Sequence, residues 1–99
     1  MMPPAVLESL LRVLKLQHDI QNQFLLTFYI FCDLKDAMTE LEETQILAEQ
    51  QGASVEYLAR LHSILHLLKG LEASVITLLD FLSEVSSEIE RSKEHGSMT

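Results

Sequence analysis

Apolar residues recur every three or four positions through the first half of the chain, the spacing that keeps side chains on one face of an α-helix. No Pro or Gly lies between Ala5 and Gln51, so no residue forces a helix to end within this stretch. The pattern predicts one helix over residues 5–51, about 70 Å long at 1.5 Å per residue. The residues on its apolar face are Val6, Leu10, Val13, Leu16, Ile20, Phe24, Thr27, Phe31, Leu34, Met38, Leu41, Gln45 and Ala48.

A polar stretch at residues 17–23 is the weakest part of this predicted helix. Ile20 is the only residue of the stretch on the apolar face, and Asp19 or Asn22 could cap a new helix there. Two interpretations are open. Either the helix is unbroken, or it breaks here and the residues before His18 fold back as a short third helix.

The segment after Gln51 holds the one clear turn signal. Gly52 can take the left-handed conformation that ends a helix, and Ser54 can cap the helix that follows. We therefore predict a turn at residues 52–54. A connection this short makes the two flanking helices antiparallel neighbours.

The second half of the chain repeats the helical pattern and predicts a helix over residues 55–92. Gly70 lies inside it, where we expect either close helix packing or a mild kink. Residues 1–4 are predicted as an irregular N-terminus and residues 93–99 as a frayed tail. The residues on the apolar face of the second helix are Val55, Leu58, Leu61, Leu65, Leu68, Leu71, Val75, Leu78, Leu82, Val85 and Ile89.

Composition agrees with an all-α fold. The chain has 99 residues, which suits one domain, and 47% of them are hydrophobic with only 3 Gly and 2 Pro. A disordered or collagen-like chain would need far more polar residues, Gly or Pro. The predicted architecture is a long antiparallel helical hairpin that forms part of an intermolecular helical bundle or coiled coil.

Charge limits the classes of partner that we expect, and the absence of targeting signals limits the expected location. The formal net charge of −8 leaves no basic footprint for nucleic acid or an anionic membrane surface. The longest apolar stretch, residues 24–32, is well short of the ~20 residues that a membrane span needs. With one cysteine, Cys32, and no recognisable leader, we expect an intracellular protein, cytoplasmic or nuclear, with Cys32 as a buried, inert thiol.

Residues 24–34 and 67–82 are apolar on almost every side, which is typical of helices buried all round. A two-helix hairpin covers only one side of each helix, so a further element must cover the remainder. We favour a partner chain over the short third helix, and a different chain over a second copy. The predicted partner interface consists of Phe24, Leu25, Phe28, Tyr29, Phe31, Leu68, Leu71, Val75, Ile76, Leu79 and Leu82.

No catalytic or ligand-binding motif is present. His62 and His66 have the i, i+4 spacing of some zinc sites, and Glu40 and Glu43 lie opposite them, but a solvated surface cluster is the better interpretation. General acid–base catalysis needs a carboxyl group in a desolvated pocket, and a helical hairpin offers none. We therefore predict no enzymatic activity, no cofactor, no metal and no small-molecule substrate.

In architecture alone, the chain resembles the small acidic helical subunits of kinetochore, spindle and vesicle-tethering assemblies. It resembles equally the small helical-hairpin chaperones of secretion systems. No motif supports either resemblance, so no functional residue is transferred from them. The leading hypothesis is a structural subunit that docks through its apolar surface into a multi-protein helical bundle. The alternative is a chaperone or adaptor that binds an amphipathic helix of a client protein.

Overall fold

The computed structural model describes residues 3–97 and contains two long helices joined by a short turn. Helix α1 spans Pro4–Gln50 and helix α2 spans Val55–Ser97. No strand occurs in the described residues, so the predicted all-α helical hairpin is confirmed. Helix α1 continues through residues 17–23 without a break, and the short third helix does not form.

Helix α2 extends five residues beyond the predicted end at Ser92. Lys93, the first residue beyond the predicted end, is half-buried, and its Nζ donates a hydrogen bond to Gln17 Oε1 at 2.9 Å. At the other end of the chain, the Pro3 carbonyl accepts hydrogen bonds from the first turn of α1. Met1, Met2, Met98 and Thr99, which belong to the predicted irregular ends, lie outside the described residues.

The turn between the helices is closed by a Schellman motif followed by an N-cap. Gly52 has φ of 73°, the Ala53 amide donates to the Ala48 carbonyl at 3.0 Å, and the Gly52 amide donates to the Glu49 carbonyl at 3.1 Å. Ser54 Oγ then accepts a hydrogen bond from the Tyr57 amide at 3.2 Å, which caps α2. These bonds satisfy backbone groups that a helix end would otherwise leave unpaired.

Gly70 does not have the first of the two roles predicted for it, close helix packing. A Cβ atom added at Gly70 would have no atom within 4 Å, so close helix packing is not the reason for glycine there. The expectation of close packing is wrong because Gly70 faces away from the partner helix and is exposed.

Substitution by alanine should have opposite effects on the stability of the protein at Gly52 and at Gly70. Gly52→Ala should destabilise the protein by about 1–2 kcal/mol, because only glycine adopts the left-handed conformation without strain. Gly70→Ala should stabilise it by about 1 kcal/mol, because alanine is the better helix former and has open space around it. Urea unfolding followed by circular dichroism measures both, and equal effects of the two substitutions would contradict the turn geometry.

The chain divides into two compact units, each built from one segment of α1 and one of α2. Unit 1 comprises Met1–Thr27 and Leu78–Thr99, and unit 2 comprises Phe28–Thr77. In unit 2, the packed side chains form a narrow line along each helix, which we call the seam. It consists of the buried or half-buried residues Phe31, Leu34, Met38, Leu41, Gln45 and Ala48 of α1, and Leu58, Leu61, Leu65, Leu68, Glu72 and Val75 of α2.

Unit 1 has a seam of the same kind but with more polar members. Thr27 is buried, and its Oγ1 donates to the Gln23 carbonyl at 2.7 Å, so the hydroxyl is satisfied within α1. The other members are Leu10, Val13, Gln17 and Ile20 of α1, and Leu79, Leu82, Val85, Ser86, Ile89 and Lys93 of α2.

Steps of three and four residues alternate along the seam of unit 2, which is the heptad spacing of a coiled coil. The seam of unit 1 follows the same spacing except that Phe24 is exposed between Ile20 and Thr27, and that Val85 and Ser86 are both half-buried. This spacing corrects the predicted apolar faces at three places. The seams contain Gln17, Glu72 and Leu79, whereas the neighbours Leu16, Leu71 and Leu78 are about half exposed. Strict alternation selects these residues even where the adjacent residue is the more apolar one.

Candidate partner-binding surfaces

Large apolar side chains are exposed in both units. Even the buried apolar residues retain 6–8% of their surface, and no large side chain in the described part of the chain is fully enclosed. By contrast, 71% of Leu67 and 62% of Phe81 are exposed. Monomeric proteins seldom leave so many large apolar side chains in water, so both units have surfaces suited to a further partner.

In unit 2, the structure separates the predicted interface residues into exposed and packed groups. Phe28, Tyr29, Leu71 and Ile76 are exposed. The remaining three belong to the seam, where Phe31 and Leu68 are half-buried and Val75 is buried. As an interface the set stays a prediction, and its exposed members are the ones available to another chain.

In unit 1, Phe24 and Leu25 are exposed, whereas Leu79 and Leu82 are half-buried in the seam. Phe24 lies on the predicted apolar face of α1 but retains 39% exposure. An open cleft of about 450 Å³ lies beside it. Its lining residues are Ile20, Gln21, Phe24, Leu25, Leu82, Ser83, Ser86 and Ser87.

Several exposed apolar residues were absent from the predicted interface. In unit 2 they include Ile30, Ile64 and Leu67, and in unit 1 they include Leu78 and Phe81. The sequence does contain a signal for those on α2, because Ile64, Leu67 and Leu71 follow one another at steps of three and four. This second line is hard to recognise in the sequence because the seam residues next to it are apolar too.

One ion pair crosses the seam of unit 2. Glu72 Oε2 lies 2.8 Å from Lys35 Nζ, although this buried oxygen accepts no hydrogen bond. Lys35 Nζ also lies 5.8 Å from the centre of the Phe31 ring, within the range of a cation–π interaction. Attraction between charges therefore compensates for placing a carboxylate in an otherwise apolar line of α2.

Removing the cation of this pair should destabilise the protein more than replacing Glu72 with an apolar residue. Lys35→Ala should destabilise the protein by about 1 kcal/mol, because it leaves the Glu72 carboxylate, only 19% exposed, without its cation. Glu72→Leu should be neutral or stabilising by about 1 kcal/mol, because Lys35 is 55% exposed and regains water.

Urea unfolding of the two single variants and the double variant checks this pair. In the Glu72→Leu background, Lys35→Ala should have almost no effect on the free energy of unfolding. An equal loss in both backgrounds would mean that Lys35 acts through packing on Phe31 and not through Glu72.

A second polar cluster lies in unit 1. Gln17 Nε2 donates a hydrogen bond to Glu90 Oε1, and the Lys93 ammonium lies 3.7 Å from the same carboxylate. Gln17 and Lys93 both occupy seam positions. A polar pair at such positions favours one register of the two helix segments over others.

The histidines and carboxylates considered as a metal site do not form one in the described residues. His62 and His66 are both exposed, and no cluster of three or more His, Cys, Asp or Glu side chains could hold a metal ion within residues 3–97. Over the same residues, neither helix has a stretch apolar enough to cross a membrane.

Cys32 differs from its predicted state. The thiol is exposed, not buried. Cys32 lies in an apolar run, but it is on the side of α1 that faces away from the seam, and α2 therefore does not cover it.

Comparison with known proteins yields no relative. The chain matches no protein-family model, and neither a curated protein nor a solved structure is significantly similar to it.

Proposed function

We propose that this protein is a non-enzymatic interaction subunit that docks through its exposed apolar surfaces into a helical bundle formed with other protein chains. The observation that supports this most strongly is the exposure of Phe28, Tyr29, Leu67, Leu71 and Ile76 in unit 2 alone. Aromatic and large aliphatic residues contribute a disproportionate share of the energy at protein interfaces. A chain with this surface gains stability when another helix covers it.

The proposal includes the class of partner and the compartment. The partners are helical subunits of other chains, as in the kinetochore, spindle or tethering assemblies that the chain resembles in architecture. Nucleic acid is not among the proposed partners because acidic residues outnumber basic ones by 15 to 7. The proposed location is intracellular, in the cytoplasm or nucleus.

The alternative function is a chaperone or adaptor, and the cleft in unit 1 favours it. Ile20, Phe24 and Leu82 line this cleft and could accept an apolar side chain of a client helix. An adaptor would release its client reversibly and be stable without it, whereas a bundle subunit would remain in a permanent complex.

Affinity purification of the tagged chain from its native cells tests the leading proposal. We expect helical partner proteins that stay bound through a high-salt wash, because burial of apolar surface is not screened by salt as exposed charge pairs are. Light scattering during size-exclusion chromatography gives the complementary measurement. A well-folded monomer at micromolar concentration that retains no partner would contradict the proposal.

A further inference from the structure

A second apolar line runs along α2 in unit 2, beside the seam. It consists of Tyr57, Ile64, Leu67 and Leu71, whose exposed fractions are 48%, 46%, 71% and 51%. Steps of seven, three and four residues separate them, so they share one face of the helix with heptad spacing. We call this line the open seam. Its spacing matches that of the seam between α1 and α2, which indicates that the element suited to cover it is another helix.

The opposite border of the open seam is on α1. Ile64 and Leu71 each come just before a seam residue of α2. In an antiparallel helix pair, the residues that come just before the equivalent seam residues of α1 lie on the same side of the pair. On α1 these residues are Ile30 and Ala37, both exposed, and they extend the apolar surface of Ile64 and Leu71. The result is an exposed apolar surface of about four helical turns along α2, with Arg60 as a polar position between Tyr57 and Ile64.

The charge along the border of the open seam indicates which type of helix would bind there. On the α1 side, Asp33, Glu40 and Glu43 are exposed, and none of them forms an ion pair with another described residue. On the α2 side, the charge of Arg60 is offset by Glu56 at 3.2 Å. The border of the open seam is therefore negative, and it is complementary to a helix with Lys or Arg beside its apolar positions.

A second copy of this chain is a poorer occupant. Unit 2 contains eight Asp and Glu residues against three Lys and Arg residues, so a like-charged border would face it in a homodimer. Like charges brought together across an interface oppose association. A different chain can supply the missing positive charge.

We propose that the open seam binds an amphipathic helix of a different protein chain, with apolar residues at heptad spacing and Lys or Arg at the flanking positions. This inference rests on the proposed function and specifies the partner's chemistry at one surface. The occupant packs lengthwise against α2, with its apolar residues between Leu67 and Leu71 and its cations opposite Asp33 and Glu40.

Fluorescence anisotropy with the purified full chain and two labelled designed peptides tests this proposal. Both peptides have Leu at the core positions of each heptad, and they differ only in having Lys or Glu at the flanking positions. We expect the Lys peptide to bind at least ~10-fold more tightly than the Glu peptide, with a difference that shrinks as salt rises. Equal binding, or no binding of the Lys peptide, would overturn the proposal.

Two variants with added carboxylates, one inside the open seam and one outside it, separate docking from general attraction to an acidic protein. Leu67→Glu combined with Leu71→Glu should weaken binding of the Lys peptide at least ~10-fold, because it places carboxylates on the apolar surface that the peptide would cover. Val55→Glu, at a residue 84% exposed and outside the open seam, should leave binding unchanged. Tighter binding by the double variant would mean that added negative charge alone controls affinity, and the proposal would be wrong.

Light scattering of the purified chain identifies the competing occupant. A homodimer that the Leu67→Glu and Leu71→Glu double variant converts to monomer would assign the open seam to a second copy and overturn the proposal. The peptide-binding test can fail while the test of the proposed function succeeds. A chain that copurifies with salt-resistant partners but does not bind the Lys peptide would refute only the present inference.

Discussion

Leu65→Ala is expected to destabilise the protein by about 3 kcal/mol, whereas Leu67→Ala, two residues further along α2, should change stability by less than about 0.5 kcal/mol. Leu65 is 6% exposed and is the most buried apolar residue of the seam, while Leu67 is 71% exposed. Removing a buried leucine side chain costs its transfer free energy and leaves a cavity, but truncating an exposed one costs neither. A loss of 3 kcal/mol is a large share of the stability of a domain this size.

Urea unfolding measured by circular dichroism gives both values. The two substitutions are chemically identical and lie in the same helix, so helix propensity contributes equally to each. A comparable loss at both positions would mean that Leu67 is also packed, either by α1 or by a second copy of the chain. Repeating the measurement at several protein concentrations separates these two cases, since only self-association makes stability depend on concentration.

Phe28→Glu and Ile76→Glu are each expected to weaken association with the partner by at least ~10-fold while leaving the helical content unchanged. Phe28 is 45% exposed and Ile76 is 42% exposed, so each tolerates a polar side chain in the free protein. Once a partner covers these positions, the substitution loses about 1.5–3 kcal/mol of apolar burial and places a carboxylate in the interface. Each 1.4 kcal/mol corresponds to a tenfold change in the dissociation constant.

Copurification of each variant with the partner, quantified against the unsubstituted chain, measures this loss. Thr39→Glu is the matched control, because Thr39 is an exposed α1 residue in unit 2 and receives the same added charge. Retention of the partner by Phe28→Glu and Ile76→Glu at the level of Thr39→Glu would exclude these two residues from the interface. Loss of partner by all three would point instead to an effect of charge.

The interface prediction was limited by the apolar character of residues 24–34. Where nearly every residue around a helix is apolar, no polar residues mark an outer face. The sequence pattern then cannot distinguish the side that packs within the chain from the side that is left open. Cys32 illustrates this point, since its neighbours in sequence indicated burial and its thiol is exposed. Near the turn, where polar residues such as Glu42 and Glu43 mark the outer face, the seam residues Met38 and Leu41 were predicted correctly.

The sequence by itself determined the elements of this protein. Uninterrupted three-and-four spacing specified two long helices, and Gly52 with Ser54 specified where the chain turns, because a left-handed residue and a side-chain cap are local requirements. Those features depend on residues close together in the chain, so the sequence was enough to find them.

Only the tertiary structure decided which side of each helix is covered. Adjacent residues in a helix point about 100° apart, so only one of Leu71 and Glu72 can face α1, and the sequence favoured the more apolar of the two. Pairing of Lys35 with Glu72 and strict heptad alternation instead place Glu72 in the seam and leave Leu71 exposed. Leu71 is therefore left to the open seam, because local spacing alone did not decide between the two candidate faces of α2 and the contacts between the helix segments did.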